Sequence, residues 1–382
     1  MIYRKLGRTG LDVGIIGLGT EHLWHEPKET VISVIDEALD NGVNYMDLFM
    51  PSPEIRDNIG AAISGRREKV MIAGHIGSVE KDGQYLRTRE KTACIEYVDD
   101  LLTRLKTDYI DFLMLHFIDG EDDFQSVFGE DGMLELALKF KKQGKARYIG
   151  MSSHKVPVSL MAVNSGHLDV LMFPVNPAFD MLPGNTELGD LWEAKPYKQL
   201  EDNGRRPEYG RRELYLACEK QGTGIVAMKP YAGGWLFYKE NPSSIVLTPA
   251  QCLHYSLSQP GVCTAVPGCK TVEQMREALT YLNSSDEEKD FSKTISSTSW
   301  DIRGSCMYCN HCLPCPAGID IGAVTRLADS AGEGITDVVR QKYEQLKIKA
   351  SECFKCGSCM ERCPFGVDVI SNMGRAVGTF GT

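Results

Sequence analysis

The sequence predicts an α/β fold, a (β/α)8 TIM barrel followed by a small, mainly α-helical domain, and three observations predict it. Short β-rich apolar runs alternate with stretches of helical period over about 270 residues. A polar, Ser/Thr-rich stretch then breaks the pattern. Beyond it, eight cysteines fall in two tight runs, "SCMYCNHCLPCP" at 305–316 and "ECFKCGSCMERCP" at 352–364. The expected organisation is a barrel over 1–285, a linker over 286–304 and a cysteine-rich domain over 305–382.

Eight runs read as strands: 13–19, 43–49, 69–75, 108–116, 146–152, 169–175, 224–230 and 263–268. Between them lie helical patterns. Ile95, Val98, Leu102 and Leu105 fall on one face of one such stretch, and Val272, Met275, Leu279 and Leu282 on one face of another. Eight near-even repeats favour closure over a doubly wound sheet. The connection 180–208, rich in Pro, Gly, Arg and Tyr, reads as an active-site loop or lid. Trp24, Trp192, Tyr197 and Tyr209 are the aromatic candidates for a pocket wall.

With 382 residues and 42% hydrophobic content, the chain is globular and too long for one ordinary domain. Its formal charge of −10 argues against nucleic acid or an anionic membrane as partner. No apolar run approaches the ~20 residues of a membrane span, and the N-terminus lacks the apolar stretch and cleavage site of an export signal. The expectation is a cytoplasmic protein acting on a small-molecule substrate.

Thiols three apart, closing on Cys-Pro, suit a cubane iron–sulfur cluster, which needs several thiolates from one tight wrap of chain. In two-cluster ferredoxins the Cys before Pro reaches across to the other cluster. One 4Fe–4S cluster is thus expected on Cys306, Cys309, Cys312 and Cys363, and a second on Cys353, Cys356, Cys359 and Cys315. Zinc knuckles or disulfides are the alternatives. Between the runs, two helices flank "AGEG", which resembles the α-helical ferredoxin modules of multi-subunit electron-transfer enzymes. Cys94, Cys218, Cys252, Cys263 and Cys269 lack ligand spacing and read as small buried apolar residues.

Catalytic groups of such barrels lie at the C-terminal ends of strands. Those ends carry His22, Asp47, His75, His116, Ser152 and His154. A metal site from His22, Asp47, His75 and His116 is one option.

The motifs "YRKLGRTGLDVGIIGLGT", "GVNYMDLF", "LKTDYIDFLMLH", "ARYIGMSS" and "VPGCKTVEQMREAL" follow one another in an order that resembles the aldo-keto reductase superfamily over residues 1–283. The cysteine-rich end resembles a branch fused to a ferredoxin-type C-terminus. The resemblance implies an Asp, Tyr, Lys and His tetrad. Asp47 and His116 match two members, whereas His75 stands at the Lys position and Ser52 at the Tyr position. A serine is too weak an acid to replace a phenol, so His75 or His116, balanced by Asp47, is the expected proton donor.

The same resemblance places Ser152 and Asn176 at the nicotinamide amide. Gly233 and Gly234 follow the seventh strand and Gly268 the eighth, where barrels build their phosphate site, with Lys270 as its expected cation. Ala278 stands where an adenine-contacting Asn is usual. Clusters pass single electrons, which points to flavin mononucleotide ahead of NADP(H) in the barrel and to a low-potential donor such as ferredoxin. Three other readings stay open. They are an NADPH-dependent carbonyl reductase, a non-enzymatic electron carrier or redox sensor, and a metal-dependent hydrolase.

Overall fold

Each of the eight apolar runs overlaps a strand in the computed structural model, which describes residues 1–203, 210–298, 302–332 and 334–382. We number them β1 (Leu18–Gly19), β2 (Tyr45–Leu48), β3 (Met71–Ile76), β4 (Ile110–Leu115), β5 (Ala146–Ser152), β6 (Val170–Pro174), β7 (Gly224–Met228) and β8 (Val262–Ala265). They form one sheet in chain order. Parallel bridges Ile16–Ala265 and Gly19–Gly268 join its two ends. The Gly17 and Gly19 amides donate to the carbonyls of Ala265 and Pro267 at 2.8 and 3.0 Å. Closure leaves no open edge. It also explains Gly17: a Cβ there would stand 2.9 Å from a Val266 methyl and 3.1 Å from the Tyr45 carbonyl oxygen.

The barrel is filled from inside by Tyr45, Ala73, Phe112, Met114, Met172 and Val226, and the N-terminal hairpin Tyr3–Lys5/Asp12–Gly14 contributes Leu6 and Val13 to the same cluster. The helix Lys91–Leu105 starts where the Glu90 carboxylate accepts the Thr92 and Ala93 amides, and it stops at Lys106 in the left-handed region. It buries Cys94, Val98, Leu101, Leu102 and Leu105. Ile95, expected on that face, is instead 38% exposed. Val98, Leu102 and Leu105 lie on the buried face as expected, while the small Cys94 takes the inner place at its first turn and Leu101 joins it.

Gly60, in the neighbouring helix Pro53–Ala62, lets the two helices touch: a Cβ there would lie 2.3 Å from the Arg104 carbonyl oxygen. Backbone cannot swing aside as a side chain can. Gly60→Ala is therefore expected to cost about 1–3 kcal/mol in denaturant unfolding, and an unchanged midpoint would show that the helices can separate without loss.

Between β3 and Lys91 the chain makes a hairpin, Ser78–Lys81 paired antiparallel with Gln84–Arg87. Its two turn residues, Asp82 and Gly83, both have positive φ, the geometry a tight hairpin of right-handed twist requires.

A second compact unit comprises 176–223, 231–262 and 284–382; the first holds 1–175, 224–230 and 263–283. The units thus divide the chain differently from a boundary at 285. The reason is one hydrophobic cluster that joins Phe179, Leu236 and Tyr255 to Phe291, Val324, Phe365 and Met373. The stretch expected as a linker carries the short helices Asp286–Lys289 and Ser292–Ser296, and its two anchors, Phe291 and Ile295, are fully buried.

The 180–208 connection contains the helix Ala194–Asn203. Trp192 packs edge-on against Phe179 and Trp235, and the buried Tyr197 donates its hydroxyl to the Leu191 carbonyl at 3.0 Å. Both aromatics therefore serve this unit's own packing. Trp24 stacks on His25 with ring centroids 4.2 Å apart, and Tyr209 lies outside the described residues. The two helices expected between the cysteine runs are Ile321–Ala331 and Asp337–Glu344. Among the described residues no helix is long and apolar enough to cross a membrane.

Candidate active site

Side chains two apart on a strand share a face. Tyr45 points into the barrel, and so does Asp47; Ala73 carries His75 with it; Phe112 and Met114 carry His116. The three polar groups sit on adjacent strands, each one step beyond the apolar filling, and each is at most 7% exposed. They form a line. Asp47 Oδ1 lies 2.8 Å from His75 Nε2, and His75 Nδ1 lies 2.8 Å from His116 Nδ1.

The line continues to a residue that the motif reading did not find. The Tyr85 hydroxyl, carried by the hairpin after β3, stands 2.6 Å from His116 Nε2. Phe49 stacks on His116 (5.5 Å, 16°) and meets Tyr85 edge-on, holding both rings. A phenol therefore does occupy the site, although Ser52 replaces it at the family position. The Asp-Gly turn was the available signal: it sends Tyr85 back toward the strand from which the hairpin left.

The donors can be assigned from Asp47 outward. A carboxylate only accepts, so His75 Nε2–H donates to it; His75 Nδ1 then accepts from His116 Nδ1–H, and His116 Nε2 accepts from Tyr85 O–H. Burial, and after it His75 and Arg89, hold His116 well below the usual imidazole range, so it is neutral in this line. Burial also raises the Tyr85 phenol above its ordinary value, while Arg87 and Arg89 pull it back. Arg89 fixes the turn after β4, donating to the carbonyls of His116 and Phe117 at 2.9 and 3.2 Å and to Asp123.

All four ring nitrogens are engaged in the line, which leaves no lone pair for a metal. His22 is not part of it, since its ring lies across Gly268, where a Cβ would meet it at 1.8 Å. His154 turns to Asp119, which also accepts from Ser153. Among the described residues no group of three or more His, Cys, Asp or Glu side chains is arranged to hold a metal ion.

The candidate cofactor residues divide between the two units. In the first, Ser152 Oγ accepts the Phe117 amide at 2.9 Å, which leaves its own hydroxyl hydrogen to donate. Lys270 is exposed and 3.9 Å from Glu26, beside the start of the helix Val272–Thr280. In the second, the buried Asn176 caps a short helix by accepting the Phe179 amide. Gly233 and Gly234 both have positive φ, and nothing lies within 4 Å of where a Gly234 Cβ would be.

All thirteen cysteines are free thiols, and the five outside the runs are buried. The eight in the runs sort into two neighbourhoods within the second unit. Burial raises Cys306 to about 11 and Cys309 and Cys312 to about 12, with mutual repulsion and Cys363 adding to the rise. Cys315, Cys353, Cys356 and Cys359 line one apolar depression with Ile319, Ile321 and Met373.

Residues 13–190 match the aldo/keto reductase family model. The chain is 29% identical over 321 residues to the uncharacterized oxidoreductase YqkF of Bacillus subtilis, covering 78% of this chain and 97% of that protein. It is 24% identical to Protein tas of Escherichia coli, covering 74% and 93%. An aldo-keto reductase from Bacillus halodurans, solved in its holo form, shares the fold with a TM-score of 0.57 at 21% identity, over 77% of this chain and 96% of that one. The match to the aldo/keto reductase family over residues 13–190 and these relatives identify the chain as an oxidoreductase.

Proposed function

We propose that the chain reduces a small carbonyl compound, and oxidises the matching alcohol in reverse, with Tyr85 handling the proton. The observation that carries this is the unbroken line from Asp47 through His75 and His116 to Tyr85. Only Tyr85 has an oxygen at the outer end of that line, so the expected role of His75 or His116 becomes relay rather than final donor. Arg87 and Arg89 take the part a lysine plays in the family tetrad, stabilising negative charge on the phenol oxygen.

As drawn, the line accepts a proton. Tyr85 O can take one from an alcohol, passing its own to His116, which passes its Nδ1 proton to His75, which passes one to Asp47. Carbonyl reduction runs the other way and needs the line loaded with one extra proton, so that His116 donates to Tyr85 while the phenol hydrogen faces the substrate. A bound NADP(H) or flavin mononucleotide supplies the hydride. Ser152, Gly268 and Lys270 are the first unit's candidates to contact such a group; Asn176, Gly233 and Gly234 belong to the other unit. The family match favours NADP(H).

We further propose that the two thiol quartets hold 4Fe–4S clusters, which supply one-electron transfer from a low-potential donor of the ferredoxin kind. Flavin is the cofactor suited to convert single electrons into hydride. The sorting of eight thiols into the two expected sets supports this reading. The test is an anaerobic inventory of iron, acid-labile sulfide and released flavin on the intact protein, with NADPH oxidation by a simple aldehyde measured alongside. Iron and sulfide near eight per chain support the clusters. NADPH turnover in protein without them would leave a plain carbonyl reductase. A carrier or sensor that uses the barrel only as scaffold would keep every function in Asp47→Asn.

A further inference from the structure

We propose that Arg212 sets the reduction potentials of the two thiol quartets apart, making the group on Cys306, Cys309, Cys312 and Cys363 the stronger electron acceptor. This rests on the iron–sulfur reading above and involves side chains of the second unit alone. One N–H of Arg212 donates to the Cys306 carbonyl at 2.6 Å and another to Asp329 Oδ2 at 2.6 Å. The guanidinium lies over the ring of Tyr308, 4.7 Å from its centroid, and Tyr308 donates its hydroxyl to the same Asp329 oxygen at 2.7 Å. Asp329 also pairs with Arg375.

Two cations thus face one carboxylate, and one positive charge is left over beside the first cysteine run. Uptake of an electron adds one negative charge to an iron–sulfur group. A nearby half-buried cation stabilises that reduced form and raises its potential. The second quartet is bordered instead by Ile319, Ile321, Ile370 and Met373, and its Cys356 is exposed. Lys355, within that run, is exposed too, where water and salt screen its charge.

Arg362 behaves differently. It donates to the Cys312 carbonyl at 3.0 and 2.7 Å and to the Pro314 carbonyl at 2.6 Å, it precedes Cys363, and its charge also acts on Cys356. Its field reaches both quartets, so it cannot separate them. Arg212 can.

The experiment is a dithionite titration of the anaerobic full-length protein with redox mediators, each centre followed by electron paramagnetic resonance. Two midpoints are expected. Arg212→Gln should lower only the higher one, Arg212→Lys should keep it, and Arg362→Gln should shift both. Asp329→Asn, which frees more positive charge, should raise the same midpoint that Arg212→Gln lowers. Cys356→Ser identifies the second centre by altering its signal alone. Wild-type protein without iron and sulfide would defeat the iron–sulfur reading itself. With iron retained, an unmoved higher midpoint in Arg212→Gln overturns the role of Arg212. Should Arg212→Gln lose its iron, Asp329→Asn decides: a fall or no change counts against the proposal.

Discussion

Replacing Tyr85 by phenylalanine is expected to slow carbonyl reduction by about 10²- to 10⁴-fold, the usual contribution of a positioned acid. The loss should appear in kcat more than in KM, because the proton moves only in the transition state. The ring would keep its edge contact with Phe49, and the hairpin would keep its Asp-Gly turn, so the fold should persist, at a cost of about 1–3 kcal/mol for the buried His116 Nε2 left without its donor. The pH dependence has a definite sign. Reduction uses the line with its extra proton, so its rate should fall as pH rises through the pKa of the loaded line. Oxidation of the alcohol uses the unloaded line and should rise over the same interval. Asp47→Asn removes the carboxylate that takes the extra proton and should flatten both limbs. Steady-state rates in both directions from pH 5 to 10 are the measurement, with NADPH or NADP and a simple aldehyde–alcohol pair as probe. A Tyr85→Phe enzyme with wild-type rates and wild-type limbs would remove Tyr85 from the chemistry.

Glu219→Gln is expected to destabilise the second unit by about 3–5 kcal/mol, the cost of breaking a buried ion pair from one side. Glu219 is 3% exposed; its carboxylate accepts from Lys342 Nζ at 2.7 Å and from the Gly261 amide. Burial alone would raise its pKa, but Arg326, Lys342 and the amide outweigh that and bring it from 4.5 to about 2. A depressed folded-state value means stability that is complete above the unfolded pKa near 4.5 and is lost as pH falls through about 2. That shift corresponds to roughly 3 kcal/mol at neutral pH. Urea unfolding at pH 7 and at pH 3 should therefore show a larger acid loss in wild type than in Glu219→Gln. Equal losses would mean that the carboxylate is not the group responsible.

Much of this could be read in advance. The eight strands were legible because each is a short apolar run set off by helical patterns. Asp47, His75 and His116 were legible because period-2 geometry puts the last inward residue of a strand at the barrel mouth. Tyr85 was not, since it belongs to an inserted hairpin rather than to a strand end, and a motif search at the family position finds only Ser52. Ile95 lies at the edge of that face, where helical periodicity does not decide between it and Cys94, and the smaller cysteine packs inward. Phe291 and Ile295 were hidden by composition: two apolar anchors four residues apart hardly alter the polarity of the stretch around them.

Local pattern by itself determined the strand–helix alternation, since period is a property of neighbouring residues. Tertiary structure alone decided who bonds to whom. Whether Tyr85 reaches His116 across 31 residues, or Lys342 reaches Glu219 across 123, depends on where the intervening chain closes. Hydrogen bonds act only within about 3 Å, so no amount of residue chemistry specifies a pair until the path between its members has folded.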